Sequence, residues 1–193
     1  MMNERLIFNV TSDIVLDDES RAVDGLRRIS AGERLSEDWF PKKIWFNKNS
    51  KLKIAMPDFF DGNGYYIVSK SCVEVLKAFD VGDATFYPVC VLQKDQVTRV
   101  EGDFYTMNIC NRKQAFIGAE SPETRPFLSN EERALGFVQK DGDVAVSKHA
   151  LEGPDIWVDT KLHRAFFVSD KLAQAMKEAG ISRSFGLRRC RVL

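Results

Sequence analysis

Residues that commonly carry out catalysis are few in this sequence and lie far apart. A nucleophile needs a general base within hydrogen-bonding distance, and neither His149 nor His163 lies in a motif that pairs it with one. The cysteines show no CxxC or CxxH spacing, the usual sign of a zinc or redox site; they are Cys72, Cys90, Cys110 and Cys190. We therefore predict free thiols, no metal, no cofactor and no catalytic residue.

The acidic residues do not form a recognisable catalytic pair either. Asp17, Asp18 and Glu19 are consecutive, and so are Glu131 and Glu132. Carboxylates that are neighbours in sequence do not face each other across a substrate. An enzyme whose site follows no known motif remains an open alternative, because a sequence does not show a pocket.

The stretch WFPKKIWFNKNSKLK, residues 39–53, combines aromatic and cationic side chains. It interleaves two tryptophans and two phenylalanines with five lysines, and rings beside a cationic track are a common means of binding single-stranded nucleic acid. A half-buried strand with a lysine-rich outer face would show the same pattern. The chain has 28 basic and 28 acidic residues, and this zero net charge argues against attraction to phosphates. We keep nucleic-acid binding as the alternative function.

Composition and hydropathy indicate a globular protein without a membrane span. Of the 193 residues 44% are hydrophobic, which is enough for a substantial core. The sequence contains no run of about 18 apolar residues, the length a membrane helix needs. The N-terminus also lacks a basic segment followed by an apolar one, the pattern of a signal peptide. We expect a cytoplasmic location.

One phrase of the sequence occurs twice. YYIVSKSCVEVLKAF begins at Tyr65, and RAFFVSDKLAQAMKEAG begins at Arg164. In each copy a short apolar run ends in Val-Ser and an amphipathic segment follows, which predicts a strand and then a helix capped by Ser69 or Ser169. The sequence therefore predicts an α+β fold, in which a mixed or antiparallel sheet carries two related strand–helix–strand units that pack their helices on the sheet.

The remaining elements are predicted from weaker patterns. Residues 6–15 alternate weakly and predict an entering strand, whereas residues 16–32 are polar and predict a connection with a helical turn at most. Asn63-Gly64 predicts a tight turn. A boundary near residue 53 would divide the chain into a variable N-terminal region, residues 1–53, packed on a main domain, residues 54–193.

The segment around the first copy resembles a known bacterial family. Its pattern is a Pro-Asp before a loop, a strand that ends in Val-Ser, a helical leucine and a Phe-x-Pro-Val; the matching positions are Pro57, Asp58, Val68, Ser69, Leu76, Phe86, Pro88 and Val89. Further matches are Tyr105, Asn108, Phe166 to Ser169, and Gly180. The resemblance is to immunity protein family eleven of polymorphic toxin systems, and it extends from residue 54 to residue 185.

This resemblance implies a non-catalytic antidote that binds a cognate toxin domain and blocks it. Protein interfaces favour aromatic anchors within a polar rim. The aromatic pair Phe59-Phe60 lies between Asp58 and Asp61, and Trp39 lies in the part without a family match, so we predict these five residues as toxin contacts. The predicted partner is a protein, and both a monomer and a homodimer remain possible.

Overall fold

The fold is built around a strongly curved sheet of seven strands. The computed structural model describes residues 7–8, 10–13, 18–47, 56–127, 129–136 and 138–193. The strands of this sheet are β1 Ile7–Phe8, β2 Val10–Ser12, β3 Lys43–Phe46, β4 Phe59–Gly62, β5 Tyr65–Ser69, β6 Thr85–Leu92 and β7 Phe104–Asn108. They lie side by side in the order β1-β4-β5-β7-β6-β3-β2.

One N-terminal segment contacts both edges of this sheet. β1 pairs in parallel with β4, and β2 pairs antiparallel with β3. Because only residue 9 separates β1 from β2, the two ends of the strand order meet in the same segment, and the sheet is nearly closed like a barrel. Closure removes the exposed strand edges that favour aggregation. The strand predicted within residues 6–15 is confirmed for the residues that the structure describes.

Side chains alternate between the interior of the barrel and its outer face, as the two-residue period of a strand requires. One apolar cluster fills the interior and includes Phe46, Phe60, Tyr65, Ile67 and Phe104. A second cluster lies on the outer face of the sheet and includes Phe59, Val68 and Met107. Neighbours in sequence, such as Phe59 and Phe60, therefore belong to different cores.

The prediction that residues 16–32 form a connection is wrong, because helix α1 spans Glu19–Ser30. The carboxylate of Asp18 caps this helix by accepting a hydrogen bond from the Arg21 N–H at 2.9 Å. Ala22 and Ile29 are buried on its inner face, and Ile29 packs into the interior cluster. Gly25 lowers the helix propensity of this segment, but it also gives room to Trp39, since a Cβ atom at position 25 would lie 3.1 Å from the Trp39 ring.

Both copies of the repeated phrase form the predicted strand and helix. In the first copy, β5 leads into α2, Lys70–Lys77; in the second, β13, Phe167–Val168, leads into α3, Asp170–Glu178. Ser69 Oγ accepts a hydrogen bond from the Cys72 N–H at 3.1 Å, and Ser169 Oγ accepts one from the Leu172 N–H at 3.2 Å. Both helices pack into the outer cluster. The predicted α+β fold with a mixed sheet is confirmed.

The duplication extends further upstream than the repeated phrase. β5 is antiparallel to β4, and β13 is antiparallel to β11, Ile156–Trp157. Immediately before β4 and β11 stand Asp58 and Asp155, whose carbonyl oxygens accept the N–H of Ser69 and Ser169 at 2.9 and 2.8 Å. Each aspartate follows a proline. The unit that is duplicated is therefore Pro-Asp, hairpin, Val-Ser and helix.

Three small sheets form the remainder of the described chain. β8, Arg125–Phe127, β9, Ser129–Ala134, and β12, Leu162–His163, form one; β10, Ala145–Val146, pairs with β14, Arg191–Val192; and β11 pairs with β13. A third apolar cluster around Trp157 and Phe167 packs between them. The boundary predicted near residue 53 lies outside the described residues, and β1, β2 and β3 share one sheet with β4–β7.

Candidate functional site

The two histidines do not belong to a catalytic pair in the described part of the chain. His149 Nδ1 lies 3.2 Å from a carboxylate oxygen of Glu152, and both side chains are well exposed. The ring of His163 stacks on Phe127 with centroids 3.9 Å apart. Burial, followed by the nearby charge of Arg164, lowers the pKa of His163, so its ring is neutral at pH 7 and serves as a packing surface.

The four cysteines are free, as predicted, and burial suppresses the reactivity of three. It raises the pKa of Cys72 to about 12, and it is the largest cause of the raised pKa values of Cys110 and Cys190. Because the thiolate is the reactive form, these sulfurs are poor nucleophiles at neutral pH. Cys90 is half-buried, and its Sγ accepts a hydrogen bond from Arg99 Nε at 3.2 Å.

The described residues show neither a metal cluster nor a membrane-spanning helix. Within the described ranges, no group of three or more His, Cys, Asp or Glu side chains is placed to hold a metal ion. Of the helices that the structure describes, none combines the length and hydrophobicity needed to cross a membrane.

Four of the five predicted contact residues lie on or beside strand β4, where their side chains stabilise the fold. Phe59 and Phe60 are 2% and 0% exposed. The Phe59 ring is buried in the outer cluster and the Phe60 ring in the barrel interior, so neither is accessible to a partner in the folded chain. Asp58 Oδ1 accepts a hydrogen bond from Ser69 Oγ at 2.6 Å, which fixes the start of α2. Asp61 Oδ1 accepts one from the Gly64 N–H at 2.6 Å, within the tight turn that Asn63 and Gly64 make at φ values of 59° and 97°.

Trp39, the fifth predicted contact, is half-buried and lies across α1. The guanidinium groups of Arg21 and Arg28 lie 4.9 and 4.6 Å from the centre of its ring. Each arginine also binds a carboxylate: Arg21 pairs with Asp38 at 2.7 Å, and Arg28 pairs with Glu33. Sequence analysis missed both arginines, although their seven-residue spacing places them on one face of a helix. We call Trp39, Arg21 and Arg28 the tryptophan platform.

Three of the four aromatic side chains of the lysine-rich stretch are buried, and the fourth is the half-buried Trp39. Phe40 and Phe46 are 2% and 1% exposed and belong to the barrel interior, and Trp45 is also buried. These rings are not available to stack on bases. Lys48, Lys51 and Lys53 lie outside the described residues.

A groove of about 240 Å³ lies against the outer face of β6. One of its lining residues, Lys42, comes three positions after Trp39 in the chain. One part of the groove is lined by Lys42 and by residues 88–91 of β6. The other part is lined by residues 99, 100 and 102–105. Val89 and Val91 contribute to the barrel interior, so Pro88 and Cys90 are the β6 side chains that face outward. Sequence analysis did not single out Lys42 or Arg99 as a pair, because residues 57 positions apart in the chain (99 − 42) carry no spacing signal.

Comparison with known proteins gives one finding. A family model described as immunity protein family (Imm11) matches residues 11–189 of the chain. This match includes α1 and β3, which the resemblance in the sequence did not reach. Among curated proteins, no match to the chain was found.

Proposed function

Since the chain belongs to the immunity protein family (Imm11), we propose that it binds a cognate bacterial toxin domain and neutralises it without chemistry of its own. The observation that carries the proposal is the family match over residues 11–189. The chemistry of the described side chains supports it: the ionisable groups that are most buried hold the fold together, as Asp159 does by accepting the N–H groups of Ala115 and Phe116 at 2.8 Å each. We place this action in the cytoplasm.

A blocking protein of this kind needs a surface that is formed before the toxin arrives, because ordering flexible side chains on binding lowers affinity. The tryptophan platform meets this need. Tryptophan and arginine are the residue types most enriched among the energetically dominant residues of interfaces. Here the ring and both guanidinium groups are already held in place by mutual stacking and by Asp38 and Glu33. We therefore carry Trp39 forward as the toxin contact among the five predicted residues.

The proposal is tested by mixing the purified chain with the purified toxin domain encoded beside its gene. We expect one stoichiometric complex on size-exclusion chromatography and loss of the toxin's activity in the mixture. Two separate peaks and a fully active toxin would contradict the proposal. The oligomeric state of the chain is read from the same column when it is run alone.

Replacing Trp39 with alanine is expected to weaken toxin binding by about 30-fold, since truncation of an interface tryptophan costs about 2 kcal/mol. The measurement is the dissociation constant of each folded variant by titration calorimetry. Phe127→Ala is the matched control, because Phe127 is also a half-buried ring stacked on a polar side chain. If both variants bind as the unaltered chain does, Trp39 is not a contact.

A further inference from the structure

Three charged side chains line the groove beside β6, two cations and the carboxylate of Asp103, so its cationic charge is in excess by one. Lys42 and Arg99 line it, and both are exposed. In the described part of the chain, neither forms a salt bridge with a carboxylate. Among the described residues, the Arg99 guanidinium donates its hydrogen bond to the Cys90 sulfur, a weak acceptor.

An exposed apolar side chain stands at the end of the same hairpin. Val97 is 79% exposed, the largest fraction among the exposed large hydrophobic residues of the described chain. It lies in the turn between β6 and β7, two residues before Arg99. An exposed valine beside unpaired cations resembles an interface in composition, where an apolar anchor is bordered by polar groups.

Hydrogen bonds link both sides of the turn that carries Val97. The carboxylate of Asp95 accepts hydrogen bonds from the N–H groups of Val97 and Thr98 at 3.0 and 2.8 Å, and from Thr98 Oγ1 at 2.5 Å. The Thr98 hydroxyl and these N–H groups hold the pKa of Asp95 below its ordinary value. Gln96 adopts a left-handed φ of 59°, which is uncommon outside glycine. These bonds define the backbone conformation from which Val97 and Arg99 project.

We propose that this groove is part of the toxin-binding surface and that Lys42 and Arg99 receive an acidic side chain of the toxin, with Val97 packing beside it. The inference rests on the proposed function, whose partner it describes. A carboxylate would give Arg99 a charge-assisted hydrogen bond in place of its weak bond to sulfur. Lys42 is three residues from Trp39, at most about 11 Å between Cα atoms. This separation is small compared with an interface of ordinary size, which buries about 800 Å² on each partner.

The test compares two double variants with the same change in charge. Lys42→Glu with Arg99→Glu reverses the charge of the groove, whereas Lys148→Glu with Arg189→Glu reverses two exposed charges elsewhere. Both lower the net charge from 0 to −4, so any effect of net charge alone is equal. We expect the groove variant to bind the purified toxin domain at least about tenfold more weakly, and the control variant to bind like the unaltered chain.

A second experiment identifies the chemical group of the toxin that contacts Lys42. Carbodiimide joins an amine to a carboxylate that contacts it, and mass spectrometry of the treated complex is expected to show Lys42 joined to an Asp or Glu of the toxin. Equal affinity of the two double variants, or a complex whose cross-links involve other lysines and never Lys42, would overturn the inference while leaving the proposed function standing. If the unaltered chain forms no complex, the proposed function itself fails, and the groove loses its partner with it.

Discussion

Replacing Phe59 with alanine is expected to lower the free energy of unfolding by about 4 kcal/mol, the usual cost of removing a buried phenylalanine ring. Phe59 is 2% exposed. Its ring stacks on Phe185 with centroids 4.5 Å apart, and Phe166 and Tyr66 lie 5.8 and 5.7 Å away. The cavity would open between the barrel and the helices of both repeat copies. Urea denaturation monitored by circular dichroism measures the change.

Leu151→Ala serves as the control for Phe59→Ala. Leu151 is 72% exposed, and its truncation is expected to change stability by less than about 0.5 kcal/mol. For binding studies Phe59→Leu is the better variant, since it keeps most of the buried volume and the folded protein remains available. A Phe59→Ala protein as stable as the Leu151→Ala protein would show that the ring is not in the core.

Replacing Asp159 with alanine is expected to cost about 3 kcal/mol of stability, because it leaves buried N–H groups without an acceptor. Asp159 is 1% exposed. Its Oδ2 accepts hydrogen bonds from the N–H groups of Ala115 and Phe116 at 2.8 Å each, and its Oδ1 accepts one from the Lys161 N–H at 3.0 Å. Together these bonds tie the segment after β7 to the hairpin of the second copy.

Two further variants sharpen the Asp159 measurement. Asp159→Asn keeps the size but has one acceptor oxygen instead of two, so an intermediate loss of stability is expected. Asp83 forms a surface ion pair with Arg34 in which both side chains are more than two-thirds exposed, and Asp83→Ala is expected to cost less than about 0.5 kcal/mol. Equal melting curves for the Asp159→Ala and Asp83→Ala proteins would contradict this role for Asp159.

The two strand–helix units could be predicted because each is marked by a short sequence pattern that does not depend on the rest of the fold. A serine after an apolar run caps a helix in any fold, and both Ser69 and Ser169 do so. The Pro-Asp step was recognised only in the first copy, and its recurrence at Pro154-Asp155 was missed for a physical reason. Ser69 comes eleven positions after Asp58 (69 − 58), and Ser169 comes fourteen positions after Asp155 (169 − 155). The longer second hairpin contains β12, which pairs with β9, so a comparison at a fixed spacing aligns the helices and not the aspartates.

The elements that the sequence patterns did not predict are stabilised by tertiary contacts. α1 has Gly25 at its centre and few apolar residues, and its stability depends on burial of Ile29 in the barrel and on the contact of Trp39 with Gly25. Closure of the sheet by β1 and β2 is likewise a long-range event. Lys42 and Arg99 line the same groove because β3 lies beside β6 in the sheet. Contacts between residues so far apart in the chain produce no regular spacing from which they could be predicted.

The measurement that tests the central claim most directly is growth rescue. The toxin domain encoded beside the gene is expressed in a sensitive bacterial host, with this chain or with its Trp39→Ala variant supplied from a second plasmid. The account predicts that the unaltered chain restores growth and co-purifies with the toxin in a fixed stoichiometry, and that the variant rescues less well at equal expression. Continued killing by the toxin in the presence of the folded, unaltered chain would contradict the account.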